Sequence, residues 1–377
     1  RIAARGWTGL AEGYMAGEWS TTSSQVLVDD LVALVGAGYR PVSPRPYAVP
    51  GGRRPVGAAG ELPPDLTQHF AGSVASHAHG HFGTGVPTTE RTRVKSHTPG
   101  AGRGNEPSHH FMDVTDIGAP LDAHRDDLTD AQLRSVAMLL EAASTNAGTH
   151  LLEMPCSGGA VVTQAVAKRI TVDTVSFDER IARGVEEQLI MAGAEGSARV
   201  DLLSSTAEIP ELAHQRRGVY DAVVSMNAFE ALPATEQTAY LQAAEEMLAP
   251  GGRVAVQTIV RTGAFSRAAG AALTSLRPYT WPRLNVVTVD DIGSLVDKYT
   301  GLRVTAVTTA PEHLAASLKL QRMTFDAHLR DAAADGYDVV FRRMWTWQFA
   351  LREALARLGM LDLAQVTMVQ RHRRGRR

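Results

Sequence analysis

A single cysteine, Cys156, stands in 377 residues, so no disulfide can form within the chain and nothing in it demands an oxidising compartment. No apolar run approaches the roughly 18 residues that a membrane-spanning helix needs. Neither sign of charge dominates: 38 Lys and Arg against 40 Asp and Glu leave a net charge of −2. That balance excludes a nucleic-acid binder working through bulk charge. No signal-peptide pattern is read at the N-terminus, and these absences together make the cytoplasm the expected location. What is present is ordinary for a globular protein, 44% apolar and 21% charged residues, in a chain long enough for one large domain or two smaller ones.

Organisation follows from the apolar spacing. Residues 1–40 read as an N-terminal helical segment, with GLAEGYMAGEW at 9–19 leading into VLVDDLVALV at 26–35. Residues 41–108 are rich in Pro, Gly, His and Ser and predict a linker or lid. Residues 109–377 form the main domain, with regular patterning from 126. Thr129 and Gln132 are spaced like a capping box opening a helix. Strands are then predicted at 149–154, 170–177, 219–226 and 253–260, with ARVDLLSS as a further one, alternating with helical patterns. That alternation predicts an α/β fold with a parallel sheet between helices, its ligand crevice at the carboxyl ends of the strands and the first strand–helix turn as the prime position.

Two strings invite sharper readings. Ser76, His77, Ala78, His79, Gly80 and His81 alternate histidines as an extended metal site would, with His109 and His110 downstream. No Cys or carboxylate stands nearby at ligand spacing, so a polar flexible insert is favoured and no metal is expected. The tail at 371–377 holds five arginines in seven residues; it reads as a solvated end or as an anchor for anionic lipid. Trp345 and Trp347 read as core packing.

The strings AEGYMAGEW at 11–19, EEMLAPGGRVAVQTI at 245–259, EHLAASLKLQRMTF at 312–325 and FRRMWTWQFALREALARLGMLDLAQVTMVQR at 341–371 resemble those of the cyclopropane-fatty-acid synthases. The resemblance covers about residues 1–40 and 126–371. It implies a Rossmann-like class I methyltransferase fold with an N-terminal helical segment and a C-terminal helical and strand extension. It also implies S-adenosyl-L-methionine as cofactor, and transfer of a methylene or methyl group to double bonds of phospholipid acyl chains at a membrane surface. Some relatives act with a flavin-dependent reductase, which implies a hetero-complex with a reductase or an active homologue as a further expectation.

The chemistry-bearing positions depart from that family. Its cofactor loop resembles V-L-[DE]-[IL]-G-x-G-W-G, whose glycines let the backbone turn tightly against the ligand. Here the first two glycines are Pro155 and Ser157, and proline fixes φ and removes an N–H. Glu153, Cys156, Gly158 and Gly159 remain as the cofactor-binding candidates. The family's T-[LI]-S-x-x-Q becomes Val175 to Arg180, and its Q-D-Y-R becomes Ser204 to Ala207. The family's pocket holds bicarbonate on a Cys of Y-S-C, the Glu of F-E-H, the His of H-T-I and the Tyr of H-Y. Glu230 matches the Glu; Gln257 replaces the His; Leu314, beside His313, replaces the Tyr; Y-S-C is missing. Glu230, Gln257 and His313 are therefore the catalytic candidates. The expectation is a catalytically impaired accessory subunit with weak or no S-adenosylmethionine binding. An active transferase with a changed base, or a crevice redirected to another small ligand, are the alternatives.

Overall fold

The computed structural model describes residues 1–41, 60–72, 76–103 and 106–371. Most of the basic tail and residues 42–59 of the expected linker lie outside the described residues. In chain order the helices and strands are α1 (Ile2–Met15), α2 (Ser24–Gly36), α3 (Pro64–Thr67), β1 (Pro87–Lys95), β2 (His109–Ile117), α4 (Leu128–Ala142), β3 (His150–Glu153), α5 (Ala160–Ala167), β4 (Thr171–Ser176), α6 (Glu179–Met191) and β5 (Ala198–Leu202). There follow α7 (Ile209–Gln215), β6 (Tyr220–Met226), α8 (Ala234–Met247), β7 (Leu248–Arg261), α9 (Arg267–Leu273), α10 (Val289–Tyr299), β8 (Leu302–Thr309), α11 (Pro311–Ala327), α12 (Leu329–Ala334), α13 (Val339–Arg357) and β9 (Leu361–Gln370).

Nine strands form one sheet in the order β1-β2-β8-β9-β7-β6-β3-β4-β5. The stretch from β5 to β7 is parallel, as the alternation predicts. The rest is mixed: β9 runs antiparallel to both β7 and β8, and β1 and β2 form an antiparallel hairpin whose second strand runs parallel to β8. The wholly parallel expectation is therefore corrected, because alternation of strands and helices carries no sign of strand direction.

Side chains alternate across the pleat. Leu151 and Val224 pack on one face with Val136 and Leu139 of α4, Val161 of α5 and Ile181 of α6. Their neighbours Leu152 and Val223 pack on the other with Leu212 of α7, Tyr240 and Leu241 of α8 and Ile292 of α10. A third core joins α1 and α2 to α9, α11 and α13, and includes Trp345 and Trp347, both buried.

The predicted capping box at Thr129 is not formed. α4 begins at Leu128, and the box is made one turn earlier by His124 and Asp127. Gln132 serves elsewhere: its Nε2 donates to the carbonyls of Ser76 and Ala78, both at 2.9 Å, and its Oε1 accepts from the Gly72 N–H at 3.0 Å. The spacing was right for a cap, but a buried amide satisfies a neighbouring segment instead.

Candidate functional site

The strand order reverses between β3 and β6, which places a ligand crevice over the end of β3. Glu153 closes that strand and is fully buried. Its Oε1 accepts from the Ser157 N–H at 2.9 Å and its Oε2 from the Thr174 hydroxyl at 2.7 Å. Desolvation raises its carboxyl above the ordinary range. The Met154 N–H goes to the Val224 carbonyl at 3.0 Å and the Cys156 N–H to the Val175 carbonyl at 2.7 Å. Pro155 has no N–H to offer. The backbone of Gly158 hydrogen-bonds the Cys156 sulfur, yet burial still holds that thiol well above its usual value. Gly158 and Gly159 adopt φ of +84° and +105°, and a side chain on Gly159 would collide with Gln188. The loop is therefore tight, as its retained glycines predict, but the amides of residues 154–157 are spent on the protein itself.

The crevice above the loop holds the protein's own chain. Glu61 Oε2 accepts from the Phe177 N–H at 2.8 Å, just past β4. Gly60 lies against Ala228, just past β6, so closely that a Cβ would come within 2.7 Å of the Ala228 Cβ. Because β3 lies between β4 and β6, Gly60 and Glu61 cross its mouth, and Leu62 is buried in the core of α1, α2, α9, α11 and α13. Glu61 is 6% exposed and its Oε1 has no hydrogen-bond partner; burial pushes its carboxyl up to about 8. The amides of Met154, Cys156 and Ser157 are thus taken up within the protein, and Gly60 and Glu61 lie across the strand ends where S-adenosylmethionine would be held.

Of the catalytic candidates, Glu230 lines a cavity. Its Oε2 accepts from the Thr258 hydroxyl at 2.7 Å. With His77, Asn227 and Arg352 it lines a cavity of about 20 Å³ walled by Ile259, Trp281 and Leu284, room for roughly one water. Burial raises the Glu230 carboxyl, and Arg352 partly restrains the rise. Burial lowers Arg352 to about 10, and its guanidinium is held by Gln348 Oε1 at 3.2 Å and His79 Nε2 at 3.0 Å. Gln257 lies beside this cavity in a buried network, described below. His313 accepts the Phe82 N–H on Nδ1 at 2.8 Å and faces the Gly118 carbonyl with Nε2 at 2.9 Å, which fixes a neutral ring with the proton on Nε2. The three candidates are thus not brought into one site.

The histidine string is neither flexible nor a metal site. Ser76 to Phe82 is a buried strap between α4 and α11. Its histidines point to different partners: His77 to the Glu230 cavity, His79 to Arg352, and His81 to the Ser135 hydroxyl at 2.9 Å. Burial lowers His77 to about 4 and His81 to about 3, so both are neutral at pH 7. Among the described residues no group of three or more His, Cys, Asp or Glu could hold a metal. His109 and His110 stand on β2, remote in the sheet from the strap.

Sequence reasoning missed Glu61, Arg352, His77 and Asn227 as crevice and cavity groups. Glu61 falls in a Pro- and Gly-rich stretch that offers no periodic signal. Arg352 had one, its i,i+4 spacing from Gln348 within the family-like C-terminal helix.

The sheet order and crevice define a class I S-adenosylmethionine-dependent methyltransferase fold. Residues 117–366 match the family model described as mycolic acid cyclopropane synthetase, two thirds of the chain, so this protein belongs to that family. It is 27% identical over 383 residues, 98% of this chain and 80% of the other, to a tuberculostearic acid methyltransferase, UfaA1, of Mycobacterium tuberculosis. Two solved structures share the fold: the cyclopropane synthase MmaA2 of Mycobacterium tuberculosis (TM-score 0.63, 17% identity, 81% of this chain and 94% of that one), and the mycolic acid cyclopropane synthase CmaA1 in complex with SAH and CTAB (TM-score 0.61, 19% identity, the same coverage). Among the described residues no helix is long and apolar enough to cross a membrane.

Proposed function

We propose that this protein serves acyl-lipid modification as a catalytically impaired member of its family, an accessory subunit rather than a transferase. The observation that carries this reading is the crevice over β3, crossed by Gly60 and Glu61 above a loop whose Met154, Cys156 and Ser157 amides are taken up within the protein. Family membership supports the lipid setting, and the UfaA1 relative, named for tuberculostearic acid, is consistent with a fatty-acyl substrate such as phospholipid acyl chains. Its place is the cytoplasm, peripherally at a membrane surface, in complex with an active homologue or a reductase.

The test is lipid labelling. The full chain is incubated with vesicles of unsaturated phospholipid and S-adenosylmethionine labelled in its methyl group. The expected result is no label in the lipid from the protein alone, and co-purification with an active synthase or a reductase from the native host. Labelled lipid from the isolated chain overturns the reading. It would support the alternative, an active transferase with a changed base, to which the retained Glu230 beside Arg352 and the UfaA1 likeness would then belong.

A further inference from the structure

We infer that the outer face of the β1–β2 hairpin docks on an anionic lipid surface. The inference deepens the reading above: it rests on the lipid setting proposed there and names the part of the chain that meets the membrane.

The pairing register sets that face. Lys95 stands opposite His109, Arg93 opposite Phe111 and Arg91 opposite Asp113, and residues opposite one another in an antiparallel pair share a face of the sheet. All six are exposed. The residues between them turn to the other face, where Met112 is buried in the core. The outer face thus carries three permanent cations against one carboxylate, gathered around Phe111, which is 57% exposed. The Arg91 guanidinium lies over the Phe111 ring, 5.0 Å from its centre. An aromatic ring among basic side chains suits the boundary of headgroups and acyl chains: the ring enters it while the cations stay with the phosphates. A protein partner matches this face less well, because the centres of such interfaces are depleted in charged residues, and here the cations surround a single large apolar side chain.

The basic tail starts beside the same face. Lys95 ends β1, and Thr98 follows in the connection to β2. The Arg371 N–H donates to the Gly301 carbonyl at 2.8 Å, and its guanidinium donates to the Thr98 hydroxyl and the Thr300 carbonyl. Four more arginines follow within six residues, a length of chain that reaches about 20 Å. Hairpin and tail therefore supply positive charge to one rim of the sheet. Strands β2, β8, β7, β6 and β3 all run in one direction, so this rim, at their amino ends, lies opposite the crevice at their carboxyl ends. Docking here holds the crevice away from the lipid, which suits an accessory subunit.

The test is flotation of the full chain with vesicles of phosphatidylcholine, alone or mixed with phosphatidylglycerol. The protein is expected to float with the anionic vesicles and not with the neutral ones. A basic side chain near such a surface is worth about fivefold in binding, so Arg91→Ala with Arg93→Ala is expected to weaken it about 25-fold. Arg91→Lys with Arg93→Lys keeps the charge and is expected to bind as wild type, which separates loss of charge from loss of fold. Phe111→Ser is expected to weaken binding roughly fivefold. Lys168→Ala with Arg183→Ala removes two exposed cations far from the hairpin and is expected to change nothing. Flotation that does not depend on phosphatidylglycerol, or that the two Arg→Ala changes leave as strong as in the Lys168 and Arg183 control, overturns the inference. So does binding untouched by Phe111→Ser, the result that an acidic protein partner would give. None of these outcomes depends on catalysis: labelled lipid beside hairpin-dependent flotation removes the accessory reading and leaves the docking face, whereas unlabelled lipid without flotation does the reverse.

Discussion

Replacing Gln257 by leucine tests whether the buried amide network, rather than catalysis, accounts for that residue. Four hydrogen bonds end on its amide. Ser135 Oγ and Gln365 Nε2 donate to Oε1 at 2.6 and 2.8 Å; Nε2 donates to Asn227 Oδ1 at 2.8 Å and to the His79 carbonyl at 3.2 Å. Each buried group left unpaired costs about 1–3 kcal/mol. Three of the four partners keep another bond: Ser135 with His81, Gln365 with the Ser135 carbonyl, Asn227 with the His79 N–H. The full sum is therefore discounted, and Gln257→Leu is expected to lose about 2–4 kcal/mol. In urea unfolding followed by circular dichroism, with a slope near 3 kcal/mol per molar for a chain of this size, the midpoint falls by on the order of 1 M at unchanged slope. A midpoint within about 0.2 M of wild type would refute the claim that this network pins the strap to the sheet.

Two further outcomes follow from buried charge. Arg322 donates from Nε to Glu353 Oε2 at 2.7 Å, both residues being buried; Arg322→Met should cost about 3–5 kcal/mol by stranding Glu353, and adding Glu353→Met should recover most of it. A double variant as unstable as the single one in urea would contradict this. Burial also raises the Asp362 carboxyl to about 7. The folded state then holds a proton that the unfolded chain has already lost between about pH 4 and 7, so stability drains away as pH rises through that window. Asp362→Asn, which keeps an acceptor for the Ala310 N–H at 3.0 Å, should flatten the profile there; an unchanged slope in unfolding free energy against pH would sink the assignment.

The central strands were legible because β3, β4, β6 and β7 are short apolar runs bounded by turn residues, which is what burial on both faces of a parallel sheet requires. β1 was not, because its residues PTTERTRVK are nearly all exposed on both faces, leaving no apolar alternation to read. The strap at 76–82 was misread for the opposite reason. Its His, Gly, Ala and Ser composition looks solvated, and its burial depends on partners far away in sequence, Gln132, Arg134, His313 and Ser317. Gly80 shows the dependence most sharply: a Cβ there would come within 2.6 Å of the Ala131 Cβ. At the crevice, the substitutions at Pro155 and Ser157 marked an altered loop, and the structure adds what lies above it. No local pattern announces that Glu61, some ninety residues earlier, crosses those strand ends, since the contact is made by tertiary packing alone.

The claim that the crevice is closed to its family's cofactor is tested most directly by calorimetric titration of the full chain with S-adenosylmethionine and with S-adenosylhomocysteine at pH 7. The account predicts no saturable heat for either ligand, whereas a dissociation constant in the low micromolar range, corresponding to about −8 kcal/mol of binding, would contradict it.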